Sequence, residues 1–319
     1  MKNRIALFLK GGRHGYSTPA LTARRHRWHR YARKPLAADT INARIQYLEQ
    51  FGFHVVLGDS VYQRTGFLAG TPESRAADFM SMITNNAVKW ILPSRGGVGV
   101  AGILPYLDYD EIRANPKIVS GYSDITILLN VLSQYADLLT FQGLLLTDFQ
   151  PSTPEYNFTS FFSSVMTLQA PRALQNPDGF PLIGKVPGVA SGEIVGGNLT
   201  SFVDSIGTPY EIDTAGKIIV LEDTNESINT IYRYLAHLEA AGKFADCAAI
   251  VMGTCSNCSI AYNTSYDDLI EGFLVPLGKP LLSNLQTAHG QYKVCVPIGA
   301  LARVDGTNAT ITILDRTVR

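Results

Sequence analysis

Lys117-Ile118-Val119-Ser120-Gly121-Tyr122-Ser123-Asp124-Ile125-Thr126, continued by Ile127-Leu128-Leu129-Asn130-Val131-Leu132, is the stretch that decides the fold. Residues 117–120 form a short β-branched run, and residues 127–132 are too apolar and too long for a loop. The pattern predicts a strand, a sharp turn and a helix. A serine at such a turn projects its hydroxyl out of the fold. The helix start beside it offers unpaired N–H groups and the positive end of a dipole. That is the geometry of a nucleophile elbow. The usual G-x-S-x-G is not met, because Ile125 occupies the second glycine position. Ser123 or Asp124 acting only as a helix cap explains the same residues.

Outward from this turn, the first half of the chain alternates strands and helices. Strands are expected at residues 5–9, 54–57 and 88–92, and helices at 40–51, with Asp39 as cap, at 71–85 and at 110–114. This order implies a parallel sheet covered by helices, with ligands beyond the carboxyl ends of its strands. A helix at 158–168 and a stretch rich in proline, glycine and asparagine at 172–187 follow. Short strands then dominate, at 192–195, 217–221, 248–251 and 310–314. One amphipathic helix interrupts them, with Ile228, Ile231, Tyr232, Leu235 and Leu238 on one face. The expected fold class is α/β: an N-terminal Rossmann-like domain over 1–150, a linker over 151–188 and a β-rich domain over 189–319.

Composition narrows the function. The 319 residues are 46% hydrophobic and 17% charged, enough to bury a core. Lys+Arg and Asp+Glu are 27 each, so net charge gives no argument for a nucleic-acid or membrane partner. No apolar run is long enough to span a bilayer. The five apolar residues 5–9 are too short for a signal-peptide core, which predicts a cytoplasmic location. Residues 13–34 break the α/β rhythm with the basic cluster Arg24-Arg25-His26-Arg27-Trp28-His29-Arg30. This reads as a solvated surface excursion or as an anionic-surface patch. Among the four cysteines, Cys255-Ser256-Asn257-Cys258 has C-x-x-C spacing. A zinc site would need two more ligands and no second pair exists, so reduced structural cysteines are expected and no metal.

A serine nucleophile needs a base and a group that orients the base. Of six histidines, His14, His26 and His29 fall in the basic segment, His54 opens a strand and suggests packing, and His237 lies off a helix's apolar face. His289, in the loop Thr287-Ala288-His289-Gly290-Gln291, is the best base. Glu222 ends the run Ile218-Ile219-Val220-Leu221 and so projects from a sheet edge, with Asp223 on the opposite side. A loop histidine without a role and a surface Glu-Asp pair remain open readings. Arg95-Gly96-Gly97-Val98-Gly99 follows a strand and frees backbone N–H groups for a phosphate or an oxyanion, or is a turn without a ligand.

The set Arg95-Gly96-Gly97-Val98-Gly99, Leu104-Pro105-Tyr106-Leu107-Asp108, Asn115-Pro116-Lys117, Gly121-Tyr122-Ser123-Asp124, Gly196-Gly197-Asn198-Leu199, Gly207-Thr208-Pro209-Tyr210, Leu221-Glu222-Asp223 and His289-Gly290 resembles the LD-carboxypeptidase family, which includes the microcin C self-immunity peptidases. The resemblance runs over about residues 40–319. It implies a serine peptidase with a triad of Ser123, His289 and Glu222 and an oxyanion hole of the Gly97 and Asp124 backbone N–H groups. It also implies a small peptide or muropeptide substrate, no cofactor or metal, and commonly a homodimer. Lys10-Gly11-Gly12 replaces the family's Pro-Ser turn, residues 13–34 have no counterpart, and Ala288 replaces the usual glycine before the histidine.

The activity implied first is release of terminal D-alanine from murein tetrapeptides in peptidoglycan recycling. Two alternatives are a microcin-type amide hydrolase acting on aminoacyl- or peptidyl-nucleotide analogues, and a silent ligand-binding homologue. The nucleotide reading would be helped by a stacking aromatic, for which neither Trp28 nor Trp90 is well placed.

Overall fold

A computed structural model describes residues 19–22, 36–66, 68–166 and 169–318. The strand expected at 5–9, the basic cluster 24–30 and three of the histidines lie outside the described residues. In chain order the strands of the first half are β1 (Pro19–Thr22), β2 (Val56–Leu57), β3 (Trp90–Pro93), β4 (Ile118–Gly121) and β5 (Thr140–Gln142). There follow β6 (Arg172–Ala173), β7 (Ile183–Val186), β8 (Val189–Asn198), β9 (Ile218–Thr224), β10 (Ala249–Ser256), β11 (Leu281–Leu285), β12 (Val296–Ile298), β13 (Leu301–Asp305) and β14 (Thr310–Ile313). The main helices are α1 (Ala38–Glu49), α2 (Pro72–Thr84), α3 (Tyr109–Ala114), α4 (Ile125–Ala136), α5 (Glu155–Met166), α6 (Leu199–Val203) and α7 (Ile228–Ala240).

The described strands form two sheets, of order β12-β5-β4-β3-β1-β2 and β6-β14-β13-β8-β9-β10-β11-β7. In the first, β5, β4, β3, β1 and β2 run parallel, and β12 returns antiparallel beside β5. The second has a parallel centre, β8-β9-β10-β11, with antiparallel strands on both flanks. The mixed α/β architecture matches expectation, and the strand-rich half itself contains crossover units, since parallel neighbours need such connections. Part of the basic excursion is ordered: Pro19–Thr22 pairs with both β2 and β3, so that segment is not purely a surface excursion. Within the expected linker, α5 and strands β6 and β7 are present, and the two strands join the second sheet.

Helix α4 explains its own composition. Ile125, Ile127, Leu128, Leu129, Val131 and Leu132 are all buried, on every face. A helix apolar all round must be enclosed. Its neighbours in one continuous core include Val119 from the first sheet and Ile194, Val220 and Leu282 from the second. Asn130, the polar exception, is also buried and satisfied. Its amide group donates to Gly196 O and its carbonyl accepts from Gly196 N, both at 2.8 Å. The helix that follows the nucleophile turn is thereby bonded to the end of β8, next to the strand that carries Glu222.

Other boundaries shifted for local reasons. Helix α1 starts at Ala38, and Asp39 lies in its first turn without serving as cap. Thr71 caps α2 by accepting from Ser74 N, with Pro72 at the first helical position. On α7, Ile228, Ile231, Leu235 and Leu238 are buried as expected, but Tyr232 is exposed.

Candidate active site

Ser123 sits between β4 and α4 with φ +65°, half-buried and reachable from solvent. A non-glycine residue in this conformation costs about 1–2 kcal/mol, a strain typical of nucleophile turns. The helix-cap reading fails for Asp124. It holds the N-cap position but makes no side-chain cap bond. Its Oδ2 instead accepts from Val100 N at 2.9 Å. Fully buried Arg75 donates from Nη2 to Gly99 O at 2.6 Å. Burial lowers the pKa of this guanidinium, and the charge of Asp124 opposes that. The glycine turn 95–99 is therefore held at its end by an acid on the nucleophile turn and a base on α2.

Glycine is demanded at two places in this corner. A Cβ on Gly96 would lie 2.4 Å from Ser123 Cβ and 2.8 Å from its hydroxyl. One on Gly121, at φ +152°, would lie 2.9 Å from Ile125 Cγ2. The close approach at Gly96 brings the backbone of the glycine turn against the serine, where oxyanion donors would have to stand.

His289 and Glu222 meet. Nδ1 of the imidazole stands 2.9 Å from Glu222 Oε2 and 3.2 Å from Oε1. The Glu222 side chain is fully buried, and 17% of the His289 side chain is exposed. Burial alone would lower the histidine pKa. The Glu222 charge and hydrogen bond, with Asp223 adding, outweigh it and hold the group above its ordinary value of 6.5. A carboxylate on Nδ1 leaves Nε2 as the working nitrogen. Gly253 on β10 makes room for the acid, since a Cβ there would come within 2.8 Å of Glu222 Cβ. Tyr122, next to the nucleophile, meets the imidazole edge-on with ring centres 5.1 Å apart. His289 and Glu222, distant in sequence, thus meet beyond parallel strands of the second sheet, and the residue before Ser123 touches the imidazole.

Several residues around the site were given no role from the sequence. Asn198, opposite Glu222 in the β8–β9 register, donates to Glu222 Oε1 at 3.3 Å and Asp223 Oδ1 at 3.1 Å. Asp223 faces the start of α6, accepting from Thr200 N and Oγ1. Burial, then the Glu222 charge, pushes its pKa up to about 6. Lys293 is buried and donates to Ala288 O at 2.6 Å and Gly290 O at 2.9 Å. Asp148 is buried beside it, 3.9 Å from the ammonium, and accepts from the Tyr122 hydroxyl at 3.1 Å. Neither a buried lysine nor a loop aspartate has a spacing signature; only tertiary contacts reveal them.

Other expectations are corrected. His54 is exposed and does not pack, whereas His237 is exposed as expected. Cys255 and Cys258 form a disulfide, so only Cys247 and Cys295 are free, both buried. The pair closes the turn after β10, where the short spacing lets the two side chains meet. Trp90 is buried in the first sheet, its indole donating to Ser120 Oγ, and offers no stacking face. Among the described residues no cluster of His, Cys, Asp or Glu could hold a metal, and no helix is long and apolar enough to cross a membrane.

A strained serine turn, a histidine oriented by a buried carboxylate and a glycine turn against the serine make up a candidate hydrolase site on an α/β frame. The profile of the LD-carboxypeptidase N-terminal domain matches residues 31–143, and that of the LD-carboxypeptidase C-terminal domain matches residues 191–304. A Bacillus subtilis (strain 168) protein named "Probable murein peptide carboxypeptidase" is 34% identical over 282 residues, covering 86% of each chain. The "Microcin C7 self-immunity protein MccF" of Escherichia coli is 28% identical over 306 residues, covering 85% of this chain and 87% of the other. Among solved structures, an inactive mutant of that self-immunity protein superposes with TM-score 0.84 at 22% identity, covering 95% of this chain and 99% of the other. A muramoyltetrapeptide carboxypeptidase from Oxalobacter formigenes superposes with TM-score 0.80 at 23% identity, covering 93% and 99%. This chain belongs to the LD-carboxypeptidase family and is a peptidase.

Proposed function

We propose that the chain is a serine carboxypeptidase that cleaves an L,D-peptide bond and releases terminal D-alanine from murein tetrapeptides. The observation that carries this reading is the His289–Glu222 pair, 2.9 Å apart, with the imidazole against Tyr122, the residue that precedes Ser123 in its left-handed turn. Relatives named for murein carboxypeptidase activity, in Bacillus subtilis and in Pseudomonas aeruginosa, supply the substrate class.

In this mechanism Nε2 of His289 takes the Ser123 hydroxyl proton as Oγ attacks the scissile carbonyl. Glu222 stabilises the imidazolium that forms. Backbone N–H groups of Gly97 and Asp124 receive the oxyanion, a contribution of about 3–4 kcal/mol for one donor. The imidazolium then protonates the leaving D-alanine amine, and an acyl ester remains on Ser123. A water, deprotonated by His289, hydrolyses the ester and returns the proton to Ser123. The protein's own groups account for each proton, and the reaction consumes one water. The test is D-alanine release from a defined tetrapeptide stem. A Ser123→Ala protein that releases it at the parent rate would sink the proposal.

The likeness to the self-immunity protein, which has been solved with aspartyl sulfamoyl adenosine, favours a second reading: amide hydrolysis of an aminoacyl- or peptidyl-nucleotide analogue. Trp90 is buried and does not supply a ring for a base to stack on. Parallel assays on a muropeptide and an aminoacyl sulfamoyl adenosine separate the two.

A further inference from the structure

We propose that Lys293 is the positioning residue for the candidate base: it clamps the turn that carries His289 and ties it, through Asp148 and Tyr122, to the turn that carries Ser123. The inference rests on the reading of His289 as the base.

Its ammonium is buried, which is unfavourable for an amine on a loop unless partners offset the lost hydration. Those partners are specific. The two carbonyls it bonds, Ala288 O and Gly290 O, belong to the residues on either side of His289. Holding both fixes the peptide planes that set where the imidazole points. Ala288 needs holding, because it is 1% exposed and adopts φ +53°, a conformation disfavoured for any residue with a Cβ. The other side of the ammonium faces Asp148 at 3.9 Å and lies 5.0 Å from the centre of the Tyr122 ring. Tyr122 donates to Asp148, touches the imidazole with its ring and precedes Ser123 directly. A connected path therefore runs from nucleophile turn to base turn without passing through Glu222.

The charged and titratable groups facing the imidazole are Glu222 and Asp223 from β9, Tyr122 from the turn after β4, Asp148 from the loop after β5, and Lys293 itself. Lys293 brings a positive charge close to the imidazole, and that charge lowers the histidine pKa.

The experiment is Lys293→Met in the full chain, read by steady-state D-alanine release and by NMR titration of the His289 imidazole. The expected result is a fall in kcat of about 100-fold with KM within about twofold, the signature of a misplaced base. The imidazole midpoint should move to higher pH, since a repelling charge is gone. Adding Ala288→Gly to Lys293→Met should restore at least about tenfold in kcat, because glycine holds the left-handed turn without a clamp. Parent-like kcat in Lys293→Met would overturn the proposal, whatever the imidazole midpoint does. If Lys293→Met does not fold, Tyr122→Phe removes only the hydroxyl link; a kcat loss of about fivefold at unchanged KM supports the path, and no loss overturns it. Should the parent protein release no D-alanine, the assigned activity falls, and the clamp is read from the His289 imidazole resonances alone: broadening in Lys293→Met supports it and parent-like lines overturn it.

Discussion

The nucleophile turn and the base turn reach similar backbone states by different routes. Ser123 and Ala288 both adopt positive φ without being glycine. The serine's turn is shaped largely by contacts close in sequence: Gly121 and Ile125 within the turn, and Gly96 against the serine from the preceding strand–helix connection. The base turn is held from nearby by Lys293, but what it presents and what balances that lysine come from long range. His289 meets Glu222 across 67 positions, and Lys293 reaches Asp148 from the other half of the chain. A strained turn built locally leaves a motif, whereas one held by distant partners leaves almost none.

Perturbations at each turn can break or sharpen this contrast. The largest effect belongs to Ser123→Ala, expected to cut kcat on the order of 10⁶-fold. Adding His289→Ala should cost little more, because the two act as one unit; full additivity in kcat would show the turns to be independent. Glu222→Gln comes next, at about 10⁴-fold in kcat. It also tests the pH behaviour. The base works when neutral, and His289 is held above 6.5 by Glu222 despite burial, so kcat/KM should fall as pH drops through a midpoint above that value. With the Glu222 charge gone, the midpoint should move to lower pH. A midpoint unmoved in the pH–rate profile would detach the acid from the base.

Gly96→Ala probes the local turn by pressing a methyl group onto Ser123. A fall of about 100-fold in kcat/KM is expected while circular dichroism stays parent-like, since displacing the nucleophile by about 1 Å is enough. Parent-like kinetics would mean that the glycine turn does not position the serine. The smallest effect is that of Ala288→Gly. Relief of the left-handed strain and the added freedom of the unfolded glycine nearly cancel, leaving a stability change within about 1 kcal/mol by urea denaturation. A loss well beyond that would show the alanine methyl to be needed for packing in its buried site.

Legibility followed the same division. The strand–turn–helix at Ser123 could be read because its signals are adjacent: a β-branched run, glycine, serine and a dense apolar helix. Glu222 could be placed at a strand end because Ile218–Leu221 is continuous and apolar, and His289 emerged by weighing it against the other histidines. The family motifs then joined the three. Asn198, Asp148 and Lys293 could not be assigned roles, because a polar residue looks alike in sequence whether it is solvated or buried. His54 was misjudged for that reason, and the C-x-x-C pair was read as reduced although its side chains meet in a tight turn. Strand β13 was missed because its short run shows no clear period, and its pairing with β8, far away in sequence, helps define it.

By itself, the sequence determined the order of elements through its apolar periodicity, the nucleophile turn through residues in direct succession, and the family through spaced motifs. Tertiary structure alone decided which charges lost their water. Burial of Glu222, Asp223, Asp148 and Lys293 within one corner sets the proton affinity and direction of His289, because an electrostatic interaction depends on distance and surrounding dielectric, and neither is written in residue spacing.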